Sequence, residues 1–336
     1  MKSFFLFIIS LFYSFLIRFV RFVYNTINLF SIPAQGSFIV SVGNISVGGT
    51  GKTPMISWLV HKLKKENISC GIVSRGYGRA KNKGLVLLSK ESCPQVAGDE
   101  PFMLYQEHPD VPIVVGNKKD ACFFMQRKFN PNIILVDDGF QSFALKRNLD
   151  IVLVDISRPL SDYSILPLGF LREPLKNLCR ANVVIFTKSN LNKNGSKVKE
   201  HVLKFINPNT TLVLNSSFVS ELFLFNKTKG LFLNHSKIEE PVVCFSGIAN
   251  PESFEKKSLL YCKKIVSTFS FKDHHQYKKT DFKKIYSLMS DSGASSIVTT
   301  KKDFWKIKDF FSDYKIYVID VKHRVENEES LLNLFK

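Results

Sequence analysis

The chain has 336 residues, enough for two domains with separate cores, and its 45% hydrophobic content excludes global disorder. A formal charge of +18 suits an anionic partner: nucleic acid, an anionic membrane surface or a phosphorylated substrate. The six cysteines are widely and irregularly spaced with no C-x-x-C pair, which points to free thiols in a reducing compartment rather than a zinc site or disulfide scaffold.

Residues 1–30 open the chain with an aromatic-rich apolar run. The uncharged part, Ser3 to Ile17, is shorter than the roughly 20 residues a bilayer-spanning helix needs. On a helical projection Ser3, Ser10, Ser14, Arg18, Arg21, Asn25 and Asn28 fall within an arc of about 80°, and Phe, Leu, Ile, Val and Tyr fill most of the remainder. A polar stripe that continues past the apolar run favours a helix lying in a membrane interface over a signal peptide or a signal anchor.

The body, 31–215, alternates strands and helices. "GSFIVSVGN" (36–44) reads as a strand, "NISVGGTGKTP" (44–54) as a glycine-rich loop, and "PMISWLVHKLKKEN" (54–67) as a helix with Ile56, Leu59, Val60 and Leu63 on one face. Strand, loop and helix in this order are the setting of a phosphate-binding loop. Ser46, Val47, Gly48, Gly49, Thr50 and Gly51 would form the backbone nest, Lys52 would reach the β- and γ-phosphates, and the Thr53 hydroxyl would contact Mg²⁺. Ser46 departs from the usual first glycine, and Val47 stands where partition-type ATPases carry a lysine.

Further apolar strands follow in "SCGIVS", "VPIVVG", "NIILVDD", "LDIVLVD" and "ANVVIFTK", with helical segments between several of them. Such strands imply a parallel sheet covered on both faces. "NIILVDD" ends in Asp137 and Asp138, the acidic element that faces the metal in phosphate-loop enzymes, with Asp138 the favoured contact and Asp137 the second. "TKSN" (187–190) lacks the closing acid of a guanine-reading motif. "AGDEPFM" places Asp99 and Glu100 before Pro101, the spacing of an ordinary helix start. "ILPLGFLREPL" (165–175) puts Arg172 on an apolar loop, which suits either a phosphate-bearing lipid or a buried connection.

Residues 216–237 read as two short strands around an Asn-Lys-Thr-Lys-Gly turn, a ribbon linking the body to a smaller α/β unit at 238–336. In that unit "FKDHHQY" carries Asp273, His274 and His275, either an acid/base unit or a polar loop.

The ordered set "VGNISVGGTGKTP", "SRGYGR", "GDEP", "VDDGFQ", "LPLGFLREPL", "SGIANPESF", "DHH" and "TTKKD" resembles the tetraacyldisaccharide 4'-kinase family through nearly the whole chain. In that family Ser or Thr normally stands where Ser46 does, whereas Phe170 replaces a proline of many members. The resemblance implies an α/β phosphate-loop domain plus a smaller C-terminal α/β domain, joined by a β-ribbon, with a membrane-associated N-terminal helix. It implies ATP and Mg²⁺ as cofactors and transfer of the γ-phosphate to the 4'-hydroxyl of a lipid A disaccharide precursor at the cytoplasmic face of the inner membrane. It further implies Asp99 as the base, the Asp273–His274 unit as its tuning partner, and Glu100, Arg75 and Arg172 on the substrate side. No obligate protein partner is expected. A membrane-associated ATPase or GTPase switch would share the loop and the acid pair. A nucleic-acid-binding ATPase is disfavoured because the basic residues are dispersed and no groove-reading or base-stacking motif occurs.

Overall fold

The computed structural model describes residues 2–27, 36–79, 84–191, 195–311 and 313–336. Helix α1 (Lys2–Ile27) is followed by β1 (Phe38–Asn44), α2 (Lys52–Lys65), β2 (Cys70–Ser74), β3 (Val86–Leu87), α3 (Pro94–Ala97) and α4 (Asp99–Glu107). Next come β4 (Ile113–Val115), α5 (Lys118–Phe129), β5 (Ile133–Asp137), β6 (Leu149–Asp155), β7 (Val183–Thr187) and α6 (Gly195–Leu203). The second half holds β8 (Leu212–Asn226), β9 (Leu231–His235), β10 (Val242–Ser246), α7 (Pro251–Tyr261), β11 (Ile265–Ser270) and α8 (Lys279–Ser292). It closes with β12 (Ser296–Thr300), α9 (Lys301–Ile307), β13 (Lys315–Val325) and α10 (Glu328–Leu332).

Among the described residues all the strands join one sheet, in the order β11-β10-β12-β13-β8-β7-β6-β1-β5-β2-β4-β3, with β9 beside β8. Pairing is parallel except at β3–β4, β8–β9 and β8–β13. Strand β8 explains how one sheet serves both halves. Its first residues run parallel to β7, from Leu212 opposite Val183 to Ser216 opposite Thr187. From Ser216 to Leu224 it pairs antiparallel with β13, and from Leu222 to Asn226 also with β9. The hairpin turn falls between Asn226 and Leu231, but its first strand is far longer than the short strand the sequence suggests, because ladders from both halves extend it.

Side-chain alternation sets the layers. Val40 and Val42 of β1 pack with Ile56, Leu59 and Val60 of α2, whereas Ile39 packs with Met125 of α5 on the other face. In the second half Phe245 and Val318 meet Ile285 and Phe304 on one face, and Cys244 and Ile319 meet Phe254 on the other. Both faces of the parallel strands are thereby buried, and the loops at their carboxyl ends are left to build a site.

Helix α1 is amphipathic in the reverse sense for a globular protein. Ser10 and Ser14 are buried, and Ser10 Oγ donates to the carbonyl of Ile165 at 2.9 Å. Phe5, Phe12 and Phe15 point outward and are about two-thirds exposed, at 65%, 69% and 65%. Arg18 is exposed as well, while the side chains of Ser3, Arg21, Asn25 and Asn28 in the expected polar arc lie outside the described residues. Among the described residues no helix is long and apolar enough to cross a membrane.

Candidate active site

Strand β1 delivers the glycine loop to the N-terminus of α2. Two backbone positions there require glycine. Gly51 has φ +94, and a β-carbon on it would lie 2.6 Å from Phe218 Cζ and 2.7 Å from His323 Nε2. Gly48 has φ +102, and its missing β-carbon leaves room for Arg158 Nη2. Ser46 carries no positive φ; it forms a β-bridge with Leu171, so a side chain is tolerated there without strain. The loop is tied down from several directions. Asn44 Nδ2 donates to Thr50 Oγ1 at 2.9 Å, Thr187 Oγ1 to the Thr50 carbonyl at 3.2 Å, and the Val47 amide to the Phe170 carbonyl at 2.8 Å. Gly49 has open space around it.

The acidic pair stands beside this loop because β5 is the direct neighbour of β1, with Asp137 opposite Val42. Asp138 turns out of the strand with φ +51, and its amide donates to the Val42 carbonyl at 2.8 Å. Lys52 Nζ is 3.6 Å from Asp138 Oδ1, and Arg172 Nη1 lies 2.9 and 2.8 Å from the two Asp138 oxygens. Burial opposes the Asp138 charge, but Lys52, Arg172 and Lys118 outweigh it and hold the carboxyl below its usual range. Lys118 also donates to the Asp138 carbonyl.

Asp137 is the opposite case. Burial, with Glu100 and Asp138 nearby, pushes its carboxyl up to about 6 despite Lys52 and Lys118. Ser74 donates to its Oδ2 at 3.0 Å, while its Oδ1 is buried without a partner. Glu100 accepts the Thr53 hydroxyl at 2.8 Å, so this residue faces the start of α2. Arg75 is exposed on the loop after β2, close enough to depress Lys118 electrostatically.

Asp99 does not cap its helix. Gly98 occupies the N-cap with φ 87 and ψ 152, and Asp99 sits inside the first turn of α4 with its side chain free to turn away from the backbone. His274 Nδ1 is 2.9 Å from Asp99 Oδ2, and Lys306 Nζ is 2.5 Å from the same oxygen. Burial alone would push the Asp99 carboxyl up, yet the bonds from His274 and Lys306 hold it below the usual carboxylate range. The two adjacent histidines separate cleanly. His275 Nε2 is 2.9 Å from Asp281 Oδ2 of the following helix, whereas His274, with φ +59, is turned across to Asp99. Asp273 backs this geometry: its Oδ1 accepts from the His274 amide at 3.0 Å and from Lys302 at 2.8 Å, and its Oδ2 is 3.9 Å from His274 Nε2. The Tyr77 ring lies edge-on to His274 at 5.4 Å.

Four side chains escaped the sequence reading. Lys306 stands in a lysine-rich stretch, where nothing local marks one lysine as buried. His323 of β13 joins Ser216 to the Gly51 carbonyl, at 2.7 and 2.9 Å, and burial pushes its imidazole down to about 4, keeping it neutral. Arg158 lies over the Phe170 ring at 4.6 Å, against Gly48. Glu173, fully buried, receives Gln141, Asn177 and Arg180, which locks "LREP" to "VDDGFQ". Only the last had a local signal, a charged residue inside the turn-rich "LPLGFLREPL".

A phosphate loop on a parallel sheet, an acid pair on the neighbouring strand and a separate buried carboxylate held by a histidine define a phosphate-loop phosphotransferase. The sequence profile of the family described as Tetraacyldisaccharide-1-P 4'-kinase matches residues 2–336, and the chain belongs to that family. The chain is similar to tetraacyldisaccharide 4'-kinases of Halothermothrix orenii, 32% identical over 94% of this chain and 88% of the relative, and of Elusimicrobium minutum, 34% identical over 87% and 79%. It is also similar to a crystal structure of LpxK from Aquifex aeolicus in complex with ATP: 27% identity, TM-score 0.75, covering 99% of this chain and 98% of the other.

Proposed function

We propose that the chain transfers the γ-phosphate of ATP to the 4'-hydroxyl of a tetraacylated glucosamine disaccharide 1-phosphate, with Asp99 accepting the hydroxyl proton. The observation that carries this reading is the first turn of α4. Glu100 accepts the hydroxyl of Thr53 at the phosphate loop, and the adjacent Asp99 faces His274 instead of capping its helix. One helix turn thus places a buried carboxylate beside the phosphate end of the site. The names of the relatives supply the acceptor, and the Aquifex protein's ATP supplies the donor.

In the transfer, the 4'-oxygen forms a bond to the γ-phosphorus while the bond from that phosphorus to the β,γ-bridging oxygen breaks. The hydroxyl proton passes to Asp99 and ADP leaves. The amides of the loop and Lys52 hold the phosphates, and the N-terminus of α2 adds its dipole. His274 holds Asp99 in place, and Asp273 fixes the backbone of His274. Arg172 ties the 165–175 loop to Asp138, and Arg75 offers an exposed cation for the acceptor's phosphate.

The site fits Mg²⁺. Its donors are hard oxygens, and Asp137 Oδ1 is buried and unpartnered. Thr53, Asp138 and Asp137 would hold the ion. The ion would supply positive charge that offsets the charge of the transferring phosphate. Asp137, pushed up by burial, Glu100 and Asp138, would be drawn toward its ionised form by such an ion.

The outward Phe face of α1 supports docking at an anionic membrane surface, which we assign to the cytoplasmic face of the inner membrane. Ser10 joins α1 to Ile165 at the start of the Arg172 loop, so the lipid-facing helix and the acceptor loop share one edge. The test is incubation with ATP, Mg²⁺ and a disaccharide 1-phosphate lipid, followed by mass spectrometry of the lipid. One added phosphate per lipid is the expected result. Release of free phosphate with an unchanged lipid mass would instead establish a membrane-associated ATPase switch.

A further inference from the structure

We infer that Lys306 is a positioning residue for this reaction: with His274 it occupies one oxygen of Asp99, leaving Oδ1 to receive the proton of the acceptor hydroxyl. The inference rests on the reading of Asp99 as the base. Lys306 belongs to α9, remote in sequence from α4, and its Nζ reaches Asp99 Oδ2 at 2.5 Å and the His275 carbonyl at 3.2 Å. The Lys306 and Asp99 side chains are only 6% and 5% exposed. Lysine is seldom so deeply buried unless paired, and a buried ammonium with a single carboxylate partner fixes that partner's rotamer. A carboxylate held through one oxygen by two donors presents the other in a set direction, which is what proton transfer at a phosphoryl acceptor requires.

Three lysines on α9 make the case specific. Lys301 grips Glu107 at the far end of α4, at 2.7 Å, together with Asp320. Lys302 holds Asp273, behind His274. Lys306 holds Asp99 at the near end. The helix α9 therefore fastens α4 at both ends, but only Lys306 touches the proposed base.

The groups that face Asp99 are His274 from the 271–278 loop and Lys306 from α9, with Glu100 next to it on α4. Asp273 and Lys302 stand behind His274. Tyr77 covers the imidazole, and the Tyr277 phenol, pushed up by burial and Asp303, senses the Asp99 charge. Lys306 acts on Asp99 both through its hydrogen bond and through its charge. Removing it leaves burial less opposed, so Asp99 would take up a proton at higher pH than in the wild type.

The experiment compares Lys306→Met, Lys306→Arg and Lys301→Met with the wild type in the ATP-dependent lipid phosphorylation assay, measuring kcat and both KM values across pH, with a thermal melt for each. Lys306→Met is expected to lower kcat at neutral pH by about 10–100-fold with KM for ATP unchanged. Its acidic limb should move up by about 1–3 pH units, so that part of the loss is recovered in alkali. Lys306→Arg should keep the limb near its wild-type position. Lys301→Met should lower the melting temperature without moving the limb. A wild-type kcat and limb in Lys306→Met would overturn the inference, as would a loss equal at every pH and shared by Lys301→Met. Should Lys306→Met fail to fold, Lys306→Arg decides. A kcat and acidic limb close to the wild type in Lys306→Arg support positioning by a retained cationic donor, whereas a kcat lost equally at every pH with a wild-type melting temperature overturns it. Asp99→Asn separates the two levels: if it keeps full activity the base itself is lost, whereas an inactive Asp99→Asn beside a normal Lys306→Met removes only the role of Lys306.

Discussion

The two ends of the site are built in opposite ways. At the phosphate end, Lys52 and Thr53 come from one short stretch and Asp137 and Asp138 from the next strand in the sheet, so backbone geometry places nearly everything. At the Asp99 end, the partners His274 and Lys306 come from the other half of the chain and meet Asp99 only through side chains. The phosphate end is held by glycine dihedrals and main-chain amides that a substitution elsewhere disturbs little. The Asp99 end depends on α9 and the 271–278 loop lying correctly against α4. Damage to the first should abolish chemistry outright, and damage to the side chains that hold Asp99 at the second should detune it.

That contrast is broken or sharpened by graded substitutions. Lys52→Ala should reduce turnover to near background, a loss of about 10²–10³-fold or more, since it removes charge stabilisation in the transition state. Retained turnover in the lipid phosphorylation assay would dissolve the distinction. Asp99→Ala should lower kcat by about 10²–10⁴-fold while ATP binding, read by calorimetry, stays as in the wild type. A kcat left intact would return Asp99 to a purely structural place in α4.

The paired histidines give a finer cut. His274→Ala should cost about 10–100-fold in kcat by releasing Asp99, whereas His275→Ala should act on stability through its bond to Asp281. Equal kinetic effects from both would show that the loop acts as a unit.

Asp137 offers a pH test at the phosphate end. Its carboxyl is raised from the usual 3.8 to about 6, so its protonated form favours the fold at low pH and that contribution is lost as pH rises through about 6. Asp137→Asn should therefore raise the melting temperature of the nucleotide-free protein at neutral pH, by about 2–4 °C for each kcal/mol relieved, while abolishing turnover. A lowered melting temperature would mean that the carboxylate is already neutralised without a cation. The smallest expected effect on chemistry comes from α1. Changing Phe12 and Phe15 to Ser should weaken vesicle binding in a flotation assay, at about 1.5–3 kcal/mol per ring lost, and leave turnover on a detergent-dispersed acceptor nearly unchanged.

Much of the fold and site is legible in the residues alone. The apolar runs marked the strands, the spacing in "PMISWLVHKLKK" marked α2, and the ordered motifs named the family. Asp99 shows where local reading stops. Asp followed by Pro in a first turn is an ordinary cap signal, yet the backbone gives the cap position to Gly98, and the tertiary contacts with His274 and Lys306 engage the Asp99 side chain. The length of β8 escaped for a similar reason. A strand's extent depends on the ladders that meet it, and those come from β7, β9 and β13.

The sequence by itself determined the phosphate loop, the acid pair and the layered parallel sheet, because dihedral preference and hydrophobic period are properties of neighbouring residues. The tertiary structure alone decided that His274 rather than His275 faces Asp99, that Lys306 shares the same oxygen, and that His323 props Gly51. Those choices depend on which side chains the packed sheet brings within hydrogen-bond reach across long stretches of chain, where burial magnifies each contact and sequence spacing carries no trace of it.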